Sequence, residues 1–395
     1  MANKNKSKKF SLFLNGKFDY SILVITLLLL SMGLIMLLSA SAPKSLVENN
    51  NSYEYILKQG AIAVFGLGFM WGLSLIDYRI YRKLKWIIYG IFVVLLIIVG
   101  FVGIGENGAK RWIVIFGFSF QPSEFAKVGL IVFYAALLSD MKEKNKIKKF
   151  VPGFVYPLLF LLPIAYAIFI LQNHFSATFI IGAITCVQMF AAGSLLRYFL
   201  ISGGLGLAGI LLYVLKGIAS GETNNFRLER IDTWLNIEEN LTTTGWQINQ
   251  SLYAIGSGGL FGLGLGNSRQ KYLYLPEPQN DFIFSVLAEE LGFIGSMFVI
   301  ILFVLFVWRG IIIAIKAEDN FGTLIAIGIT TMIGLQALIN IAVVTNTIPV
   351  TGMPLPFFSY GGSAMLANLM AVGILLSVSR NSKKSNTYNK EENDK

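Results

Sequence analysis

Apolar residues run in long blocks along this chain, separated by short polar clusters rather than by strict alternation. A block of about 20 mostly apolar residues can cross a bilayer as a helix. Blocks of that kind fall near residues 20–40, 57–76, 86–104, 122–139, 152–171, 175–193, 197–215, 282–308, 321–345 and 361–379. The pattern predicts an all-α fold, a polytopic membrane protein of about ten transmembrane helices. Ser39-Ala40-Ser41-Ala42 faintly resembles a signal-peptide cleavage site. The apolar run before it is longer than a signal core and more spans follow, which predicts a retained anchor. The expected organisation is a basic N-terminus over 1–19, a single transmembrane domain over 20–380, and a disordered polar tail over 381–395.

One connection stands apart. Residues 216–281 form a long loop between spans seven and eight, and loops of that length are usually functional or disordered. It holds Trp234, Trp246 and the apolar stretches Leu252–Ile255 and Leu260–Leu265. These are too short to span, and suit an interfacial or re-entrant segment. No internal repeat is visible, which weakens the picture of an inverted-repeat transporter.

Composition agrees with the pattern. The 395 residues are 55% hydrophobic and only 14% charged, whereas soluble domains carry about 25% charge. The net charge of +10 would suit nucleic acid in a soluble protein. Here its sidedness matters more. With the N-terminus inside, 22 of the 32 Lys and Arg fall in cytoplasmic segments and nine fall outside, with Lys127 inside a span. Cytoplasmic loops collect Lys and Arg, so both termini are expected in the cytoplasm and the 216–281 loop outside. Cys186 is the only cysteine and His174 the only histidine. No internal disulfide or cysteine metal site can form, and a His-clustered metal site or a Ser-His-Asp triad is disfavoured.

Several polar residues remain at or near membrane depth, where ionisable groups are costly and mark a site by default. The fourth span opens Gln121-Pro122-Ser123-Glu124-Phe125-Ala126-Lys127. Glu124 and Lys127 share a helix face. They either line a functional cavity or form an ion pair that locks helices together. Asp281 ends the long loop, where it is either a helix cap or a carboxylate offered at the membrane surface. Gly258 to Gly266 is either a flexible or close-packed turn, or a backbone nest that holds a diphosphate with Arg269 and Lys271. Glu289 and Glu290 either bond neighbouring helices or face a cavity. His174 is expected to bond a neighbouring helix, and Gln336 and Asn340 to glue helices. The segment 349–363 is too broken by Pro and Gly for a helix, and at membrane depth must be covered by protein or line a cavity.

Taken in order, these segments resemble the SEDS family of cell-wall polymerases, which includes FtsW, RodA and SpoVE. The resemblance rests on Gly108-Ala109-Lys110-Arg111-Trp112-Ile113, Gln121-Pro122-Ser123-Glu124, Gly245-Trp246-Gln247, Ser257 to Gly266, Leu275-Pro276-Glu277 through Asp281-Phe282-Ile283-Phe284, Glu289-Glu290-Leu291-Gly292-Phe293, and Leu355 to Ser363. Ser39-Ala40-Ser41 and Ser268 to Gln279 look closer to FtsW and SpoVE than to RodA. Asn173, Asn280 and Ala364 stand where the family often has proline, threonine and serine. The resemblance implies a peptidoglycan glycosyltransferase of the plasma membrane, acting at a division or sporulation septum with lipid II as donor and acceptor. It also implies a class B penicillin-binding protein as partner, beside other division or elongation proteins.

The resemblance matches the family's essential loop aspartate to Asp281, its charged pair to Glu124 and Lys127, and its arginine before tryptophan to Arg111; Asp281 is the candidate general base. Arg111, Trp112, Gln121, Ser123, Glu124, Lys127, Arg269, Lys271, Glu289 and Glu290 are the substrate-binding candidates. A poor hydroxyl nucleophile needs a carboxylate to take its proton, and a departing diphosphate needs cations. A divalent cation, Mg or Mn, could share that charge, although no ligand cluster demands one. The alternatives are a flippase for lipid II and a non-catalytic scaffold for the penicillin-binding protein.

Overall fold

The structure, a computed structural model, describes residues 18–105, 109–115, 118–201, 203–204, 209, 212, 230, 233–236, 245–272 and 274–381. The helices are α1 (Tyr20–Asn49), α2 (Glu54–Leu75), α3 (Arg79–Lys83), α4 (Lys85–Val102), α5 (Pro122–Glu143), α6 (Tyr156–Tyr166), α7 (Phe175–Ala192), α8 (Trp246–Ser257), α9 (Ile283–Lys316), α10 (Asn320–Val344) and α11 (Gly362–Arg380). Among the described residues eight helical stretches are long and apolar enough to cross a membrane. Helix α5 is 22 residues long and is not one of them. The expected seventh span, 197–215, lies largely outside the described residues.

Burial explains why α5 can be polar. Of its 22 residues 18 are buried, so neighbouring helices and not lipid set its surroundings. It packs against α4, α7 and α10, while α2 pairs with α11 and α9 with α10 and α1. Pro122 sits in its first turn, where the missing N–H costs nothing.

Three elements depart from the expected spans for local reasons. Helix α1 continues past 40 to Asn49, through Pro43. Helix α9 continues past 308 to Lys316, because Arg309 is neutralised by Asp19, the residue that caps α1, at 2.9 Å. A hairpin unforeseen in an all-α reading joins β1 (Ile113–Ile115) to β2 (Phe118–Phe120), with Ile113 opposite Phe120. Its β-branched and aromatic residues favour the pleated form. The hairpin delivers the chain from Arg111 into the start of α5.

The broken segment before α11 is irregular and mostly buried, as its prolines and glycines predict. Met353, Leu355, Phe357 and Phe358 are all buried. Irregular backbone is tolerated at this depth because protein covers it.

Candidate active site

Two polar clusters form at the same end of the bundle. The first is centred on Asp281, in the turn that precedes α9. Two loops are pinned together there. Asn340 Nδ2 donates to the carbonyls of Asp281 and Met353, both at 2.7 Å. Ser359 Oγ donates to Asn280 O at 2.6 Å, and Tyr360 N to Gln279 O at 2.8 Å. Asn340 thus ties α10 to two loops. The backbone is fixed, yet the carboxylate of Asp281 makes no hydrogen bond or ion pair among the described residues. Gly352 explains the room beside it. With φ +68, it places the position a Cβ would occupy 3.4 Å from Asp281 Oδ2. An L-residue would be strained there and would press on the acid.

Electrostatics draw further groups into this cluster. Burial is the largest effect on Asp281 and pushes its pKa up to about 6, with Glu277 adding to the rise and Arg230 and Arg111 opposing it. The guanidinium of Arg111 is half-buried and is bonded to Asn173 O at 2.7 Å, while its buried Nε has no partner among the described residues. Burial, and then Arg230, lower the Arg111 pKa, and Asp281 raises it. Arg230 holds Val350 O at 2.8 Å. His174 is buried, which pushes its pKa down to about 3, with Arg111 and Lys127 acting in the same direction. It is therefore neutral, and its Nδ1 is unpartnered among the described residues.

Glu124 and Lys127 complete the floor. Their ion pair is 2.8 Å long and Lys127 is only 2% exposed. The pair lies within one helix, so it does not lock two helices together. Ser123 Oγ is buried beside it without a partner among the described residues. Gln121 is tied by its backbone N–H to Ser363 Oγ at 3.0 Å. Trp112 is held by its backbone to Ile104, which orients the Arg111–Trp112 step.

The second cluster surrounds Lys271 and lies apart from the first. Lys271, 3% exposed, bonds Glu290 Oε1 at 2.8 Å, Ser39 Oγ at 2.9 Å and Gly266 O at 2.6 Å. Glu289 accepts from Ser268 Oγ and from the backbone N–H groups of Arg269 (2.9 Å) and Gln270 (3.4 Å). Of the two readings of Gly258–Gly266, these contacts favour the close-packed turn over the diphosphate nest. The anion held by the loop backbone is the chain's own Glu289, and Lys271 is saturated by protein. The glycines serve close packing instead: a Cβ at Gly262 would lie 2.1 Å from Glu290 O. Arg269 is exposed and stands outside both clusters.

Residues that sequence reasoning passed over include Arg230, Gly352 and Ser39. The turn-forming Thr351-Gly352 was the one local signal. Nothing near Arg230 announces that it acts on a site 51 residues downstream. Among the described residues no three His, Cys, Asp or Glu side chains gather to hold a metal ion. A divalent cation would therefore lean on Asp281 and on the oxygens of a bound substrate.

A bundle of membrane-crossing helices of this kind is a polytopic membrane protein. The family described as "Cell cycle protein", FtsW/RodA/SpoVE, matches residues 20–384. The chain belongs to this family. It is 46% identical to Stage V sporulation protein E of Bacillus subtilis (strain 168), over 92% of this chain and 98% of that protein. It is 39% identical to the probable peptidoglycan glycosyltransferase FtsW of Geobacter sp. (strain M18), over 92% and 96%. A solved structure titled "Structural coordination of polymerization and crosslinking by a peptidoglycan synthase complex" matches 92% of this chain and 98% of its own. The TM-score there is 0.76 and the identity 27%.

Proposed function

We propose that this protein is a peptidoglycan glycosyltransferase that polymerises lipid II at the outer face of the plasma membrane. The observation that carries the reading is the carboxylate of Asp281, ready-made as a base: unpaired among the described residues, half-buried and with its pKa raised to about 6. A general base works best when its pKa lies near the working pH.

In the proposed step a sugar hydroxyl of one lipid II attacks the anomeric carbon of the lipid-linked glycan. Asp281 takes the hydroxyl proton as the new C–O bond forms. The bond from the anomeric carbon to the lipid diphosphate breaks, and the electron pair leaves on the phosphate oxygen. Arg111 and Arg230, whose charges both act on Asp281, would stabilise the growing negative charge. The buried Glu124–Lys127 pair contributes a fixed dipole behind them. Neutral His174 and Ser123 offer unfilled hydrogen-bonding positions for a polar headgroup.

The distribution of Lys and Arg supports an orientation with both termini inside and Asp281 outside. Likeness to a peptidoglycan synthase complex supports a penicillin-binding protein as partner, and the relatives support a role at the division or sporulation septum. The test uses purified protein with its partner, lipid II and penicillin, and reads glycan length. Long glycan is expected. Lipid II scrambling in liposomes without glycan identifies a transporter, and neither activity identifies a scaffold.

A further inference from the structure

Two helices measure the depth of the Lys271 cluster independently. Asp19 and Arg309 form an ion pair that marks one edge of the bundle. Along α1, Ser39 lies 20 residues above Asp19, about 30 Å at the helical rise. Along α9, Phe293, the first residue past the break at Gly292, lies 16 residues above Arg309, about 24 Å, and Glu290 lies just beyond that break. The two rulers meet, because Ser39 Oγ donates to Glu290 Oε1 at 2.6 Å. A hydrocarbon core is about 30 Å thick. The Ser39–Glu290 contact therefore sits at the opposite edge of the core from Asp19.

The glycine-rich turn that follows α8 is bonded to α9 at this level. Gly259 O and Leu260 O accept from Phe293 N (2.9 Å) and Ile294 N (3.1 Å). Leu263 N and Gly264 N donate to Glu289 O (2.9 Å) and Glu290 O (3.0 Å). This exchange is possible because Gly292 breaks the helix at φ 67 and ψ −165. The turn's polar backbone is thus partly satisfied by α9 and by its own bonds, which suits irregular backbone to the interface rather than to the hydrocarbon centre. Its side chains face outward. Phe261 is 79% exposed, Leu260 and Leu265 are exposed, and residues 258–268 carry no charge. The patch continues into exposed Phe293, Ile294 and Phe298 on the lipid-facing side of α9. Exposed Tyr253, Tyr272 and Tyr274 border it, as aromatic side chains border a membrane core.

We propose that residues 259–265 form an interfacial wedge whose Leu260, Phe261 and Leu265 insert among the outer-leaflet lipids, continuous with the lipid-facing surface of α9. The wedge and the Lys271 cluster clamp the loop that carries Asp281, and so fix the height of the acid above the hydrocarbon. The inference rests on the membrane fold and is independent of the reaction proposed above.

Site-directed spin labelling tests it directly. The full chain carrying Cys186→Ser receives one new cysteine at a time, Phe261→Cys or Leu265→Cys, and is reconstituted in phosphatidylethanolamine–phosphatidylglycerol vesicles. Phe298→Cys serves as the lipid reference and Lys144→Cys as the aqueous one. The wedge predicts collision with dissolved oxygen several-fold above collision with a water-soluble nickel chelate at 261 and 265, as at 298. Nickel accessibility matching position 144 overturns it. So does shielding from both reagents, which would mean that a second copy or another protein covers the turn. The two label positions are read separately, so misfolding of one variant does not decide the result.

Discussion

Asp281 and the pair Glu289–Glu290 lie eight and nine residues apart, on either side of the first turns of one helix, yet they are treated in opposite ways. Glu289 and Glu290 are buried and fully engaged, by an ammonium, two hydroxyls and loop N–H groups. Asp281 keeps its backbone anchored and its carboxylate free. Buried charge is tolerable when paired and bonded, and such groups hold structure. A carboxylate that burial destabilises, without a partner to neutralise it, is poised to bind a proton or a cation. The same residue chemistry thus yields a fastener at one point and a reactive group at the other.

Substitutions should separate the two roles. The largest effect on rate is expected from Asp281→Asn, which keeps shape and removes the base. Glycan synthesis should fall by about 10²–10⁴, with folding intact by thermal melting. Lys271→Met should do the reverse. It leaves Glu290 buried and unpaired, at a cost of about 3–5 kcal/mol, read as a lower melting temperature. The double variant Lys271→Met/Glu290→Gln should recover part of that loss. Arg111→Gln should slow polymerisation by roughly 10², with little change in melting temperature.

A smaller effect concerns pH and stability. The Asp281 pKa rises from the ordinary 3.8 to about 6 in the folded chain. The folded state therefore holds its proton more tightly than the unfolded state across that window. Stability should fall as pH rises from about 4 to about 6 and stay lowered above it. Asp281→Asn should then melt slightly higher than the native chain at pH 7, even as it loses activity. The smallest effect is expected at Gly352→Ala. Its left-handed backbone costs about 1–2 kcal/mol with a Cβ, and crowding of Asp281 Oδ2 should reduce the rate a few-fold.

The spans were legible because twenty-residue apolar blocks have few other uses, and the order of helices follows them closely. The Glu124–Lys127 contact was legible as well, since i and i+3 share a face. What the chain does not announce is pairing across distance. Lys271 and Arg269 look alike in sequence, both basic and beside the glycines. Only the fold shows that one is consumed by Glu290 and Ser39 while the other faces solvent. Likewise the charge of Arg230 acts on Asp281 from 51 residues upstream, and no local pattern encodes that approach. The hairpin before α5 escaped notice because three-residue strands fall below the length at which alternation can be read.

The central claim is that the carboxylate of Asp281 accepts the proton of the attacking hydroxyl. The pH dependence of glycan synthesis by the native chain and by Asp281→Asn, with lipid II saturating, tests it most directly. The native rate should drop about tenfold per pH unit below pH 6 and level off above it, while the variant retains only a small residual rate without that inflection. A native rate that is flat from pH 5 to pH 8, or an Asp281→Asn variant that polymerises at the native rate, would contradict the account.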